Sequence, residues 1–592
     1  MSAALKKSRA SKHSVPFENV HKRVVVRKAQ PNVAAQILET HPIHPITARV
    51  LAARGFSPGT ELDNFLEPTL KRGLPNPAAL KNLDAACELI ADVVAREGSI
   101  AICCDFDVDG LSGGSQVAHF LQACGTKVGV FVPDRFEDGY GLNAEMIASI
   151  AEQRFALMIA IDFGTTNQTE LALARQRGIK TIVLDHHHVG GHKPDADVFI
   201  NPQQDGCGFA GGVLCAAGLA WYLIAGLRPV MQARFPQQAI PEARGYLDLA
   251  CLGTICDMVP LIGPNRVIAK RGLELLGSTE RPGLKALKKV VGCKSTVNCH
   301  DISFGIGPRL NAAGRMVHGE MVIKLLTTED HELAQQVAGN LNRLNLERQD
   351  TELRVKERAV EQLKGRFLAS GLPWGLVAWD EQFHTGVIGI VAQRLVEMFY
   401  RPAAVLGLDK EGIFKGSVRG IKGFSVVEAL ESVSSHLIKF GGHEGAGGFS
   451  VKASGVEKFA EAFNAECESR LRRIETMPAA EADTEVSLRE LSMDLVNELR
   501  SLGPFGMGNP TPQLLTRKLR VLAVKQLKSA HLKATLTDGV ITVSGLMWRQ
   551  TEHPALVVGE DVDVVYRPEV SSFNGVTELQ VNLQAVAPFD GA

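Results

Sequence analysis

The chain is predicted to be an α/β multidomain protein: a parallel-sheet domain, a long linking helix, a smaller α/β domain and a C-terminal β-barrel. Three observations predict this. Short apolar runs of strand length alternate with helical stretches from Ala85 to about Leu273, as in a parallel sheet buried on both faces. A charged stretch from Asp330 to about Phe367, without proline and nearly without glycine, follows. The last hundred or so residues then switch to closely spaced strand-like runs. A length of 592 residues accommodates roughly three or four domains.

Each element has its own warrant. The first 30 residues hold eight Lys/Arg and one acid, Glu18, without an apolar core. They read as a basic tail within an N-terminal segment 1–75; a secretory signal is not expected, and a transit peptide is the alternative. Ala85–Arg96 has helical periodicity and leads into the apolar run Ser99–Cys104. Val128–Val132, Ala156–Ile161 and Thr181–Leu184 continue the strands, with helical stretches such as Thr169–Arg177 between them. Phe209–Leu227 spans 19 residues without a charge, long enough to cross a bilayer. Its four glycines and several alanines favour a buried helix instead. These elements make up a domain over 76–325. Residues 326–367 are rich in helix formers and read as one or two exposed linking helices, and 368–475 form the second α/β domain. Over 476–592, Val521–Val524, Leu532–Leu536, Ile541–Leu546, Val562–Tyr566 and Glu578–Leu583 read as strands, with a hairpin signal at Asn574–Gly575. Five such strands suit an OB-like (oligonucleotide-binding) barrel.

Composition narrows the function. With 64 basic and 65 acidic residues the chain has no global attraction to nucleic acid, so such affinity must come from local grooves. This balance argues against a histone-like coating role. The 11 cysteines contain no C-x-x-C pair; they read as reduced thiols packed as small hydrophobes in a cytoplasmic protein, not as a thiolate zinc site.

The strongest chemical signal is Asp105-Phe106-Asp107-Val108-Asp109-Gly110, directly after an apolar run. Open α/β sheets bind ligands at the carboxyl ends of their strands. A calcium loop of the EF-hand type needs glutamate at its twelfth position, where this chain has Gln116. Three further acids follow strand-like runs: Asp162 after Leu157–Ile161, Asp185 after Ile182–Leu184, and Asp257 after Leu252–Cys256. An Asp after a strand often just caps the next helix, but the repetition points to convergence on one edge. Carboxylates gathered there repel by about 4 kcal/mol per pair at ~4 Å and an effective dielectric near 20. Divalent cations reverse that sign. Carboxylates with one or two imidazoles suit two Mn²⁺ or Mg²⁺ ions, which together stabilise in-line displacement at phosphorus.

In this order, DFDVDG, DFG (Asp162–Gly164), DHH (Asp185–His187) and GTICDMVPL (Gly253–Leu261) resemble the motifs of DHH phosphoesterases. GYGL (Gly139–Leu142), PRLNAAGR (Pro308–Arg315), HTGVIGIVAQRL (His384–Leu395), GGH (Gly441–His443) and PFGMGNPTP (Pro504–Pro512) narrow the resemblance to the RecJ family. It implies that Asp105, Asp107, Asp109, Asp162, His186 and Asp257 bind the metals. His187 would contact the scissile phosphate, and Asp185 would orient an imidazole. His188 is given no role. In the second α/β domain, Ser417, Arg419 and His443 of GSVR and GGH would hold substrate phosphate, with Arg309 and Asn311 opposite. By their residue types alone, without the resemblance, turn glycines beside a surface Arg are the favoured reading. Arg135 suits a phosphate and Tyr140 a base, a buried loop tyrosine being the alternative. Arg517, Lys518, Arg520, Lys525, Lys528, Lys533 and Arg567 mingle with Trp548, Tyr566 and Phe573 on the barrel, a composition suited to single strands. The chain departs from the family at Gly420, in GGHEGAGG and at Phe383.

The resemblance therefore implies a metal-dependent exonuclease that trims single-stranded DNA 5′→3′ to mononucleotides in repair and recombination. It also implies a cytoplasmic monomer with single-stranded DNA, a single-strand-binding protein and a helicase as partners, and no membrane. The alternatives are a phosphodiesterase of nano-RNA or cyclic dinucleotides, and a non-catalytic replication scaffold of the same fold.

Overall fold

The apolar run Ile100–Cys104 becomes β1, with every residue buried. It is joined by β2 (Val128–Phe131), β3 (Leu157–Ile161), β4 (Lys180–Leu184) and β5 (Val198–Ile200) in a parallel sheet of order β2-β1-β3-β4-β5. Strand side chains alternate between faces, and the core divides accordingly. Ile100, Ile102 and Cys104 pack into one cluster with Ile159 and Ile182, while Ala101 and Cys103 pack into another with Met158 and Val183. The protein is described by a computed structural model that covers residues 22–589 apart from 31, 136–138, 192, 210–213, 317, 368–370, 475, 528–530 and 574–575.

Helices cover this sheet: α1 (Val108–Ala123) packs on β1, β2 and β3, α2 (Ala216–Arg234) on β4, and α3 (Leu247–Cys256) packs against α1 and α2. The uncharged stretch weighed as a membrane span supplies α2, buried from Ala216 through Ile224. Among the described residues no helix is long and apolar enough to cross a membrane. One expected strand is absent. Leu252–Cys256 is the last part of α3, and Asp257 caps its C-terminus. From Leu247 to Ile255 α3 is buried on every side, and a helix buried all round shows no 3.6 period to distinguish it from a buried strand. Further on come α4 (Gly307–Met316), entered through a π-helical turn at Asp301–Ile306, and a single 37-residue helix, α5 (His331–Phe367).

The chain forms two compact units. One is Arg27–Gln349 with Glu490–Gln513; the other includes Asp350–Arg489, the barrel and strand Arg23–Val26. In the second unit, β6 (Leu376–Asp380), β7 (Ala403–Leu408), β8 (Ile413–Arg419), β9 (Lys439–Gly442) and β10 (Ala446–Lys452) form a mixed sheet of order β9-β10-β8-β7-β6. The barrel strands are β11 (Leu514–Leu527), β12 (His531–Thr537), β13 (Thr542–Trp548), β14 (Asp561–Phe573) and β15 (Val576–Pro588). They pair in the order β11-β12-β13-β15-β14, and β14 returns to β11 to close the barrel. Phe573 stands opposite Val576; the Asn574–Gly575 hairpin signal lies outside the described residues.

Candidate active site

The register of the parallel sheet builds the site. Cys104 stands opposite Ile161, and Ile161 opposite Leu184, so Asp105, Asp162 and Asp185 leave three adjacent strands at one edge. Neighbouring strands are about 4.8 Å apart, which places three carboxylates side by side before any helix contributes. Asp107 caps α1, accepting the N–H groups of Asp109 and Gly110 at 2.9 and 3.2 Å. Gly110 is required there: a Cβ would lie 2.7 Å from the backbone N and O of Asp105. Asp257 arrives from the C-terminus of α3, where the helix dipole already disfavours negative charge.

Imidazoles complete the cluster. His186 Nε2 lies 3.1 Å from Asp162 Oδ1, 3.7 Å from Asp109 Oδ2 and 3.8 Å from Asp257 Oδ2. Three overlapping sets of donor atoms each fall within 4.8 Å of one another: Asp105/Asp107/Asp162, Asp109/His186/Asp257 and Asp162/His186/His187. Asp105 Oδ1 is buried without a hydrogen-bond partner. An orphaned buried carboxylate oxygen costs free energy unless a cation takes it. The donor set is oxygen-rich with imidazole, so these residues fit hard divalent cations. Burial pushes the nearby thiols of Cys104, Cys215 and Cys256 up.

Electrostatics carry the same signature. Burial first, and neighbouring carboxylates next, raise Asp105, Asp107 and Asp162 above the ordinary carboxylate range and Asp257 to about 8. Asp185 goes the other way. Burial opposes its charge, but His187 Nδ1–H at 2.7 Å and the N–H of Thr165 at 3.1 Å hold its carboxyl below the usual range. The same pair raises His187 against its own burial, whereas burial lowers His186.

The structure also shows what sequence reasoning missed. Both oxygens of Asp109 accept backbone N–H groups from the start of α2, Ala216 at 2.7 Å and Ala217 at 2.9 Å. Gly253 makes room for this: a Cβ there would stand 2.4 Å from Asp109 Oδ1. The glycine of GTICDMVPL was the available signal. Tyr140 donates its hydroxyl to the Asp162 carbonyl at 2.9 Å and keeps half its surface exposed. The Arg135 guanidinium lies 5.3 Å above the Phe106 ring, in the field of Asp105 and Asp107. Arg309 binds Asn342 Oδ1 and the Gly305 carbonyl, and Asn311 is half-buried on α4.

In the other unit, Arg419 donates to Ser417 Oγ at 2.9 Å. A Cβ at Gly389 would crowd both, at 3.0 and 3.1 Å. His443 is exposed on the strand-end turn that closes against Gly420 through Gly445. The barrel tempers its sequence reading. Arg517 is paired with Glu485 and Asp563, and Arg520 with Asp561. Tyr566 is fully buried against Thr516. Trp548 stays half-exposed beside His531.

Three domain families match the chain: the DHH family N-terminal domain over 99–254, the DHHA1 domain over 367–469 and the RecJ OB domain over 482–585. Fold and site together define a metal-dependent phosphoesterase of the DHH class. The single-stranded-DNA-specific exonuclease RecJ of Bacillus subtilis is 32% identical over 568 residues, covering 95% of this chain and 70% of its own length. That of Dickeya dadantii is 31% identical, covering 95% and 99%. The crystal structure of RecJ from Thermus thermophilus in complex with Mn²⁺ matches with a TM-score of 0.81 at 28% identity, covering 95% of this chain and 79% of that one. The chain belongs to the RecJ family.

Proposed function

We propose that the protein is a single-stranded-DNA-specific exonuclease that works from the 5′ end, releases 5′-mononucleotides and serves repair and recombination in the cytoplasm. The observation that carries this reading is the overlap of three donor sets, each within 4.8 Å, one of which includes Asp105 with its orphaned oxygen. Asp105, Asp107, Asp109, Asp162, His186 and Asp257 would hold the ions. Mn²⁺ or Mg²⁺ bound there would supply charge stabilisation for in-line displacement at phosphorus.

The chain's own groups do the rest. His187, oriented by the Asp185 carboxylate at 2.7 Å, offers a hydrogen-bond donor to a non-bridging phosphate oxygen. Asp109 is locked by two backbone N–H groups, so its orientation is set before substrate arrives. Tyr140, tied through its hydroxyl, turns an exposed ring to a base, and Arg135 draws phosphate inward. Ser417, Arg419 and His443 take the terminal 5′-phosphate, and Arg309 with Asn311 steady the strand. A metal pair has no inherent direction, so polarity rests on that phosphate pocket. A single-strand-binding protein and a helicase are the proposed protein partners of a monomeric enzyme.

The test is direct. End-labelled single strands of DNA and RNA are incubated with Mn²⁺, Mg²⁺ or chelator. Mononucleotides should leave DNA from the 5′ end only when metal is present. Cleavage that persists in chelator, or products from the 3′ end, would overturn the reading.

A further inference from the structure

The motif Pro504–Pro512 supplies none of the metal-binding groups. It immediately precedes the barrel strands in the chain, yet it packs with the metal-bearing unit. It is clamped there by polar groups. Arg266, 2% exposed, donates to the Gly503 carbonyl at 3.0 Å and to the Phe65 carbonyl at 2.8 Å. Asn509, 1% exposed, accepts from Arg54 at 2.7 Å and donates to the Leu502 and Pro504 carbonyls, both at 2.9 Å. Burying an arginine is costly without such partners, so the anchoring of this short loop is stringent.

What the loop grips is the segment that carries Asp257. Leu261 N–H donates to the Met507 carbonyl at 2.7 Å. Two glycines permit the approach: a Cβ at Gly506 would stand 2.8 Å from the Leu261 side chain, and one at Gly508 2.9 Å from Pro260 and 3.6 Å from Ile262. The paired loops hold three apolar side chains out to solvent: Met507 at 53%, Met258 at 64% and Ile262 at 49% exposure. Met258 directly follows Asp257 in left-handed backbone, φ 61°. Side-chain-bearing residues keep that conformation only where their surroundings impose it, and such residues cluster at functional sites.

We propose that Met258, Ile262 and Met507 form an apolar shelf on which nucleobases rest as the strand's phosphates pass the metal centre. The occupant follows from continuity with that centre: a strand whose phosphate reaches Asp257 has its bases within reach of the next residue. Base faces are flat, polarisable surfaces, and thioethers make favourable sulfur–aromatic contacts with such rings. None of the three side chains carries a good hydrogen-bonding group. The shelf therefore cannot read base edges, and it serves every sequence alike, as an exonuclease requires. This role rests on the proposed single-strand activity.

The test compares wild type with Met258→Ser/Met507→Ser by fluorescence anisotropy. One labelled strand carries bases; the other has the same length with abasic sugars, and both have phosphorothioate linkages to suppress turnover. The double variant should bind the base-bearing strand roughly tenfold more weakly, because serine offers a base neither apolar surface nor a thioether. On the abasic strand the variant and wild type should agree within about twofold. Met258→Leu/Met507→Leu, which keeps apolar surface, should recover most of the affinity. Equal losses on both strands, or no loss on either, would overturn the shelf. Wild type that binds these strands yet hydrolyses no ordinary single strand would instead overturn the activity, while the binding difference would still decide the shelf.

Discussion

Replacing Asp162 by asparagine separates what the acidic cluster costs from what it does. Asp162 is 3% exposed and has left-handed backbone, φ 70°, a conformation that asparagine adopts readily and alanine does not. Its oxygen shares a 4.8 Å sphere with those of Asp105 and Asp107. Two full charges at that spacing repel by about 3.5 kcal/mol at an effective dielectric of ~20, and bound protons relieve part of this in the metal-free protein. Asp162→Asn removes the charge while keeping shape, the acceptor for His186 and the φ preference. Metal-free Asp162→Asn should therefore melt at or above the wild-type temperature. Asp162→Ala, which adds about 1–2 kcal/mol of backbone strain, should melt about 2 °C below the asparagine variant for a unit of this size. Mn²⁺ at ~100 times its Kd should stabilise wild type by about 2.7 kcal/mol, or about 4 °C, and the asparagine variant should lose most of that gain. Hydrolysis should fall by at least about a thousandfold, or ~4 kcal/mol of barrier. Thermal melts with Mn²⁺ or chelator, beside turnover of a labelled strand, measure all three. An asparagine variant that keeps the Mn²⁺ shift or near-normal turnover would refute the assignment of Asp162. One that melts below the alanine variant without metal would refute the account of repulsion.

Four more outcomes follow from the same geometry. Because Asp105, Asp107, Asp162 and Asp257 have raised pKa values, Asp257 to about 8, the native state binds more protons than the unfolded chain above about pH 4. Metal-free melting temperature should therefore fall from pH 5 to 8, and Mn²⁺ should help most at the upper end; a metal-free rise with pH would contradict this. Asp185→Asn removes the charged acceptor 2.7 Å from His187 Nδ1, so the alkaline limb of the pH–rate profile should move to lower pH, and an unmoved limb would free His187 of that role. Removing the chain from Leu514 onward should leave the metal unit folded and flatten the salt dependence of strand binding. Cutting at Ala480 instead also removes the Gly503 acceptor of Arg266 and the Asn509 acceptor of Arg54 and should lower its melting temperature, a difference that calorimetry detects. Arg419→Ala removes a charge-assisted donor worth about 1.5–3 kcal/mol, so cleavage of 5′-phosphorylated strands should drop roughly ten- to hundredfold. The 5′-hydroxyl strands should be little affected, and an unchanged preference for 5′-phosphate would refute the pocket.

Local pattern along the chain was enough to place the acidic edge of the sheet. Asp105, Asp162 and Asp185 each follow an apolar run, and in a parallel sheet neighbouring runs end at the same edge, so three acids gather without any long-range information. Alternation and spacing were likewise enough for the closed five-stranded barrel. Other features depend on how the chain packs. The helical state of Leu252–Cys256 was not legible because α3 is buried from Leu247 to Ile255, an environment that leaves no period in the residues themselves. Arg517 and Arg520 look available for a strand, but Asp563 and Asp561 take them, and only cross-strand register brings those partners together. The same holds for Pro504–Pro512, which lies next to the barrel strands in the chain. Its place beside Asp257 depends on an arginine 237 positions away from the carbonyl it binds. Periodicity is written between near neighbours in the chain, whereas the partner of a buried polar group is chosen by which surfaces meet after the chain has folded.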